Sequence, residues 1–104
     1  MSDIAGIFQS LTWRYVPGNM KKKTVYYFAL DEDEKWTITF TPEACTVEPG
    51  NTAEPDCFVK GSKAMFLDVW NGRYVPSAID FLLGRIRSNN PLMLKEFYAA
   101  FQRR

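Results

Sequence analysis

The sequence contains no histidine. That absence removes the commonest general base and the commonest metal ligand together. An enzyme built on this chain would have to work with carboxylates, lysine, tyrosine, serine or cysteine. Cysteine is scarce as well: Cys45 and Cys57 are the only two, and they form no CxxC pair. Without histidine they complete no zinc set, so no metal site and no cofactor are expected. Both sit in apolar, strand-like contexts and read as small buried hydrophobes in a reducing compartment. No apolar run approaches the roughly 20 residues that span a bilayer. The first residues, MSDIAGIFQSL, show neither a basic start nor a long apolar core, so they do not read as a secretory signal. Charge of one sign is lacking too: 13 basic and 12 acidic residues leave a net +1. A general nucleic-acid binder would show a strongly basic face, so nucleic acid is not an expected partner. Lys21-Lys22-Lys23 is the basic run inside the chain. It reads as a solvated turn, with transient membrane-surface contact as the sharper alternative.

What the chain does have is apolar bulk. Its 104 residues are 46% hydrophobic and 15% aromatic. One domain over residues 1–104 is expected, burying roughly two-thirds of its extended-chain surface without a covalent staple. Asp3 reads as the cap of a first helix with Ile4, Ile7, Phe8 and Leu11 on one face. Pro17-Gly18-Asn19 breaks that helix. TVYYFAL, 24–30, reads as a strand apolar on both faces, followed by a charged loop at 31–35. WTITFT then alternates, with Trp36, Ile38 and Phe40 on one face and threonines on the other. Cys45 and Val47 mark a third strand, and Cys57 and Val59 the inward face of a fourth.

After Gly61 the period changes from two to three or four. Ser62 reads as an N-cap for a helix carrying Phe66, Leu67, Val69 and Trp70, stopped at Asn71-Gly72. Pro76 suits the first turn of a helix with Ile79, Phe81, Leu82 and Leu83. Residues 85–88 read as a short basic edge strand. Asn90 and Pro91 then start a last helix with Leu94, Phe97, Tyr98 and Phe101 at helical spacing. The order implies an α+β fold: a single five-stranded sheet with helices packed over it. The tetrapeptide RYVP occurs at 14–17 and 73–76, but its surroundings do not align, so duplication is not inferred.

No catalytic constellation emerges. The carboxylates at 31–34 sit at a hairpin tip, where neither burial nor a fixed neighbour splits their pKa values. Asp68 and Asp80 read as the polar sides of amphipathic helices, and Cys57 has no base beside it. The glycines form neither GxGxxG nor a P-loop pattern. The helices at 62–70 and 76–83 carry more large apolar residues than two short helices need. They are ordinary core, or they bound a cavity for hydrocarbon.

Several pieces, in order, resemble the sterol carrier protein type-2 domain family. Lys35-Trp36-Thr37-Ile38 after an acidic turn is similar to its second strand, and Pro55-Asp56-Cys57-Phe58-Val59 to its fourth. Asn71-Gly72, then Pro76, and Phe81–Arg87 resemble its helix break and the segment after it. The chain departs at Ser88-Asn89-Asn90, where the family has a glycine-containing turn, and its Gln102-Arg103-Arg104 end is not a Ser-Lys-Leu peroxisomal address. The resemblance implies a mixed sheet with helices over one face and an apolar tunnel between the layers. It implies cytoplasmic, non-enzymatic binding and transfer of a hydrophobic small molecule: a fatty acid, acyl-CoA, phospholipid or sterol-like ligand. Trp36, Ile38, Phe66, Trp70, Ile79, Leu82 and Leu83 would line the tunnel, with Phe97 and Phe101 on the last helix as its lid. The alternative is an accessory or interaction domain, a homodimer through the second face of strand one, that presents a prenyl or quinone-type lipid to a partner enzyme or acts as a scaffold.

Overall fold

The computed structural model describes residues 3–51 and 54–101, Asp3 by its backbone alone. The expected Asp3 side-chain cap and the Arg103-Arg104 end therefore lie outside the described residues. In chain order come α1 (Asp3–Arg14), β1 (Thr24–Leu30), β2 (Glu34–Phe40), β3 (Cys45–Pro49) and β4 (Cys57–Gly61). They are followed by α2 (Lys63–Trp70), α3 (Ala78–Leu82), β5 (Arg87–Ser88) and α4 (Leu92–Ala99). The strands make one sheet ordered β3-β2-β1-β4-β5. β1 runs parallel to β4, and the other three pairings are antiparallel, so the sheet is mixed as expected.

Strand alternation decides which face is covered. Tyr26, Phe28 and Leu30 of β1 are buried beside Trp36, Ile38 and Phe40 of β2, and Cys45, Cys57 and Val59 extend the same face. The helices pack on that side. Phe8 of α1 stacks between Trp36, at 5.4 Å between ring centroids, and Phe66 of α2, at 5.1 Å. Tyr26 holds α4 to the sheet centre by donating its hydroxyl to the Met93 carbonyl at 2.7 Å. Burial there raises the pKa of its phenol far above the usual value.

The opposite face carries threonines, lysines and two half-buried aromatics, Tyr27 and Phe58, paired side by side across β1 and β4. The Lys60 ammonium lies 5.7 Å from the centre of the Phe58 ring, so the expected aromatic patch is small and partly covered by a cation. Thr37, on the face opposite Trp36, Ile38 and Phe40, is buried and donates to the Gly50 carbonyl at 2.6 Å.

Some boundaries differ from the sequence reading. β2 begins at Glu34, because the hairpin closes in three residues with Asp31 at φ 56°. The loop acids are tied to α2: Asp31 accepts the Lys63 amide at 3.2 Å, and Asp33 pairs with the Lys63 ammonium at 2.8 Å. β5 is only two residues long. The Asn89 side chain carries the pairing further, accepting the Phe58 amide at 2.9 Å and donating to the Asp56 carbonyl at 3.1 Å. Asparagine thus supplies hydrogen bonds where the family pattern has a glycine-containing turn. Pro76 stands outside α3, which starts after an N-cap at Ser77. At the last helix the Asn90 carbonyl accepts the Met93 amide at 3.1 Å, and Pro91 stands one residue before Leu92.

Candidate functional site

The two halves of the covered face are used differently. Over β3, α1 closes directly on the sheet. Over β1 and β4, Phe66 of α2 and Phe97 of α4 reach Phe28, and a pocket of about 1090 Å³ opens beside them among α2, α3 and α4. Its floor includes Phe28 and Val59, which are neighbours in the parallel β1–β4 register, together with Phe97 of α4. Met65, Phe66 and Trp70 of α2 form one wall, Phe81 and Leu82 of α3 another, and Leu94 and Tyr98 of α4 a third. Val75, Leu82 and Leu92 both line the cavity and reach far into solvent, which places its mouth at the α2–α3 loop and α3.

Of the residues expected at a ligand tunnel, Phe66, Trp70, Leu82 and Phe97 stand on this lining. Trp36 and Ile38 are buried elsewhere, and Phe8 separates Trp36 from Phe66. Phe101 packs on Phe40, Phe97 and Trp70 behind the wall, at centroid distances of 5.6, 5.3 and 6.1 Å. Ile79 and Leu83 are exposed and do not stand on this lining. Phe28, Met65 and Ile86 line the cavity without having been singled out. Phe28 and Val59 were detectable in principle, since both belong to the inward face of their strands. Their adjacency needed the parallel β1–β4 pairing, which alternation alone does not reveal.

The polar groups on the wall are mostly engaged within the protein. Ser62 Oγ accepts the Met65 amide at 3.1 Å and caps α2. The Tyr74 hydroxyl donates to both carboxylate oxygens of Asp80, at 2.7 and 2.6 Å. Asp80 also accepts the Ser77 amide at 2.8 Å and faces the Arg85 guanidinium at 3.5 Å. Lys95 is the charged side chain on the lining.

Asp80 corrects the sequence reading. It is not the solvated side of α3 but one of the most completely buried residues described. Donation from the Tyr74 hydroxyl, and then from the Ser77 amide, holds its pKa below the ordinary value of 3.8. Asp68 does lie at the surface, 3.2 Å from Arg73. The cysteines read as inert: burial pushes the Cys45 thiol up to about 12 and raises that of Cys57 as well. Among the described residues no group of three histidine, cysteine, aspartate or glutamate side chains is placed to hold a metal ion. No described helix is long and apolar enough to cross a membrane. The wall is made mainly of aromatic and aliphatic side chains.

Residues 19–81, more than half of the chain, match the SCP-2 sterol transfer family. A comparison with curated proteins finds no match. Among solved structures, the palmitated SCP2L2 of Aedes aegypti superposes with a TM-score of 0.64 at 17% identity, covering 92% of this chain and 87% of that one. UbiJ-SCP2, a ubiquinone synthesis protein, gives 0.60 at 11% identity over 93% of this chain and 85% of its own. The inverting sec-alkylsulfatase Pisa1 from Pseudomonas sp. gives 0.77 at 14% identity over 94% of this chain, which spans only 16% of the sulfatase's length. At these identities the superpositions establish a shared fold. By its family match and its sheet-and-helix arrangement, the chain belongs to the SCP-2 sterol transfer family, a family of lipid-binding and lipid-transfer domains.

Proposed function

We infer that the cavity holds the hydrocarbon part of a fatty acid, acyl-CoA, phospholipid or sterol-like molecule, and that the protein carries such lipids in the cytoplasm without chemistry of its own. The observation that carries the reading is the composition of the wall: aromatic and aliphatic side chains around about 1090 Å³, with one charged residue. That volume lies just above the roughly 300–1,000 Å³ usual for small-molecule sites. An acyl chain of about sixteen carbons gains on the order of 12 kcal/mol gross on burial, at about 0.8 kcal/mol per methylene. Several kcal/mol of that are lost to ordering, which leaves affinity on the order of micromolar without a dedicated polar contact. The palmitated state of the Aedes aegypti relative supports the same chemistry. Phe66, Trp70, Leu82 and Phe97 would touch the chain; Trp36, Ile38 and Phe101 would support the wall from behind, and Ile79 and Leu83 would stand outside it. Mass spectrometry of an organic extract of the purified protein, followed by titration with a fluorescent fatty acid, tests this. Co-purified lipid and saturable binding are expected; an empty extract with no saturable binding would remove the assignment.

A second reading is an accessory domain that presents a prenyl or quinone-type lipid to an enzyme. The likeness to a ubiquinone synthesis protein favours it, as does that to a segment of a much longer sulfatase. An extract dominated by quinone or polyprenyl species selects this reading over bulk lipid carriage. Light scattering at varied concentration tests the proposed homodimer through Tyr27 and Phe58; a constant monomer mass excludes it.

A further inference from the structure

Helix α4 turns one stripe of its surface to the pocket. Pro91, Leu92, Lys95, Tyr98 and Ala99 all stand on the lining, at the spacings of three and four that bring helix residues onto one side. Leu92 and Tyr98 are also exposed, and so is Lys95, so the stripe runs along the pocket's boundary with water. Four of its five members are apolar or aromatic. Lys95 is the exception, and it lies in the middle.

Nothing on the wall neutralises that charge. Among the described residues the lining contains no aspartate or glutamate. The positions three and four away along the helix, where an ion-pair partner would stand, are Pro91, Leu92, Tyr98 and Ala99. Glu96 is next in sequence, about 100° round the helix, and it is not on the lining. The arginines on either side of α3 are already paired, Arg73 with Asp68 and Arg85 with Asp80. The hydroxyls of Ser62, Tyr74 and Ser77 are engaged within the protein too. Lys95 makes no ion pair among the described residues.

We propose that Lys95 is the headgroup contact of the pocket. It receives the anionic end of a lipid, a carboxylate or a phosphate, while the hydrocarbon runs inward towards Phe97 and Phe28. A lysine suits such a boundary, because its methylene stem packs along apolar surface while the ammonium stays at the water. The pair it forms is exposed and screened, so its effect is selection between headgroups more than affinity. This role rests on the lipid-carrier reading and narrows it, from hydrophobic molecules in general to those with an anionic end.

Titration calorimetry with dodecanoate, dodecyl phosphate and dodecanol tests the contact. Lys95→Gln should weaken the anions by about two- to fivefold, the scale of an exposed ion pair, and leave dodecanol unchanged. Unchanged dodecanol binding also shows that the fold and the pocket are intact in the variant. Raising salt should weaken the anions on the wild-type protein and have less effect on Lys95→Gln. Lys95→Arg, which keeps the charge, should bind like wild type. A loss confined to dodecyl phosphate assigns the headgroup as a phosphate, and one confined to dodecanoate as a free acid; either supports the contact. A Lys95→Gln variant that binds the anions like wild type, or that weakens all three ligands alike, would overturn the proposal and leave the carrier reading standing. Wild-type protein that binds none of the three removes both.

Discussion

At the scale of single residues, the buried groups explain why the chain reads as a container rather than a catalyst. Cys45 has no basic partner to stabilise a thiolate, and burial alone pushes its thiol up to about 12. It should react with Ellman's reagent at pH 8 only on the timescale of unfolding, and a fast native-state reaction would show that the site breathes open. Asp80 is the opposite case, a carboxylate surrounded by donors. Its folded-state pKa lies below the ordinary 3.8, so on acidification the unfolded chain takes up this proton first. The stability it contributes is therefore complete above about pH 3.8 and is lost as pH falls through the lower, folded value. Calorimetry should find Asp80→Asn less stable than wild type at pH 7, with the gap narrowing below about pH 4 as the native carboxylate is protonated. A gap that stays constant down to pH 2.5 would mean that charge on Asp80 is not what secures the loop.

At the scale of elements, α1 divides the covered face. Phe8 fills the space between Trp36 and Phe66, so α1 closes the β2–β3 half, and the pocket lies on the β1–β4 side. Phe8→Ala should cost about 3–5 kcal/mol, the usual range for removing a core phenylalanine, read from urea midpoints. A loss below about 1 kcal/mol would mean that neighbours collapse into the gap. The strands were legible in the sequence because period-two alternation over several residues leaves little choice of face, as Trp36, Ile38 and Phe40 show. α3 was not. Five residues make little more than one turn, too few for periodicity to say which side is buried. Its orientation comes instead from Tyr74, Ser77 and Arg85 converging on Asp80. The spacing Ser77-x-x-Asp80 did carry a signal, since a serine followed three residues later by an acid is a capping-box pattern. The two RYVP segments also find their common physical use here. The Tyr15 hydroxyl donates to the Thr41 and Pro42 carbonyls at 3.0 and 3.1 Å, and the Tyr74 hydroxyl donates to Asp80, so each tyrosine ties down a loop.

For the whole molecule, the question is whether the space under α2, α3 and α4 behaves as a cavity or as core that happens to be loosely packed. Leu94 stands on that wall and is only half-buried, so the two possibilities give different energies for Leu94→Trp. Forced into a filled core, the larger ring costs about 1–3 kcal/mol through off-rotamer side chains. Placed in vacant space it costs little, and its added apolar contact offsets part of that. Ligand binding supplies the second arm. Each methylene that finds room contributes about 0.8 kcal/mol, close to a fourfold gain in affinity, until the chain reaches the end of the available space. A series of fatty acids should therefore show affinity rising with length to a plateau, and Leu94→Trp should move the plateau to shorter chains while thermal stability stays near wild type. Loss of stability together with an unmoved plateau would place Leu94 in packed core and the acyl chain somewhere else. The two readouts answer separately, because the unliganded protein's melting reports on the space and the chain-length break reports on what fills it.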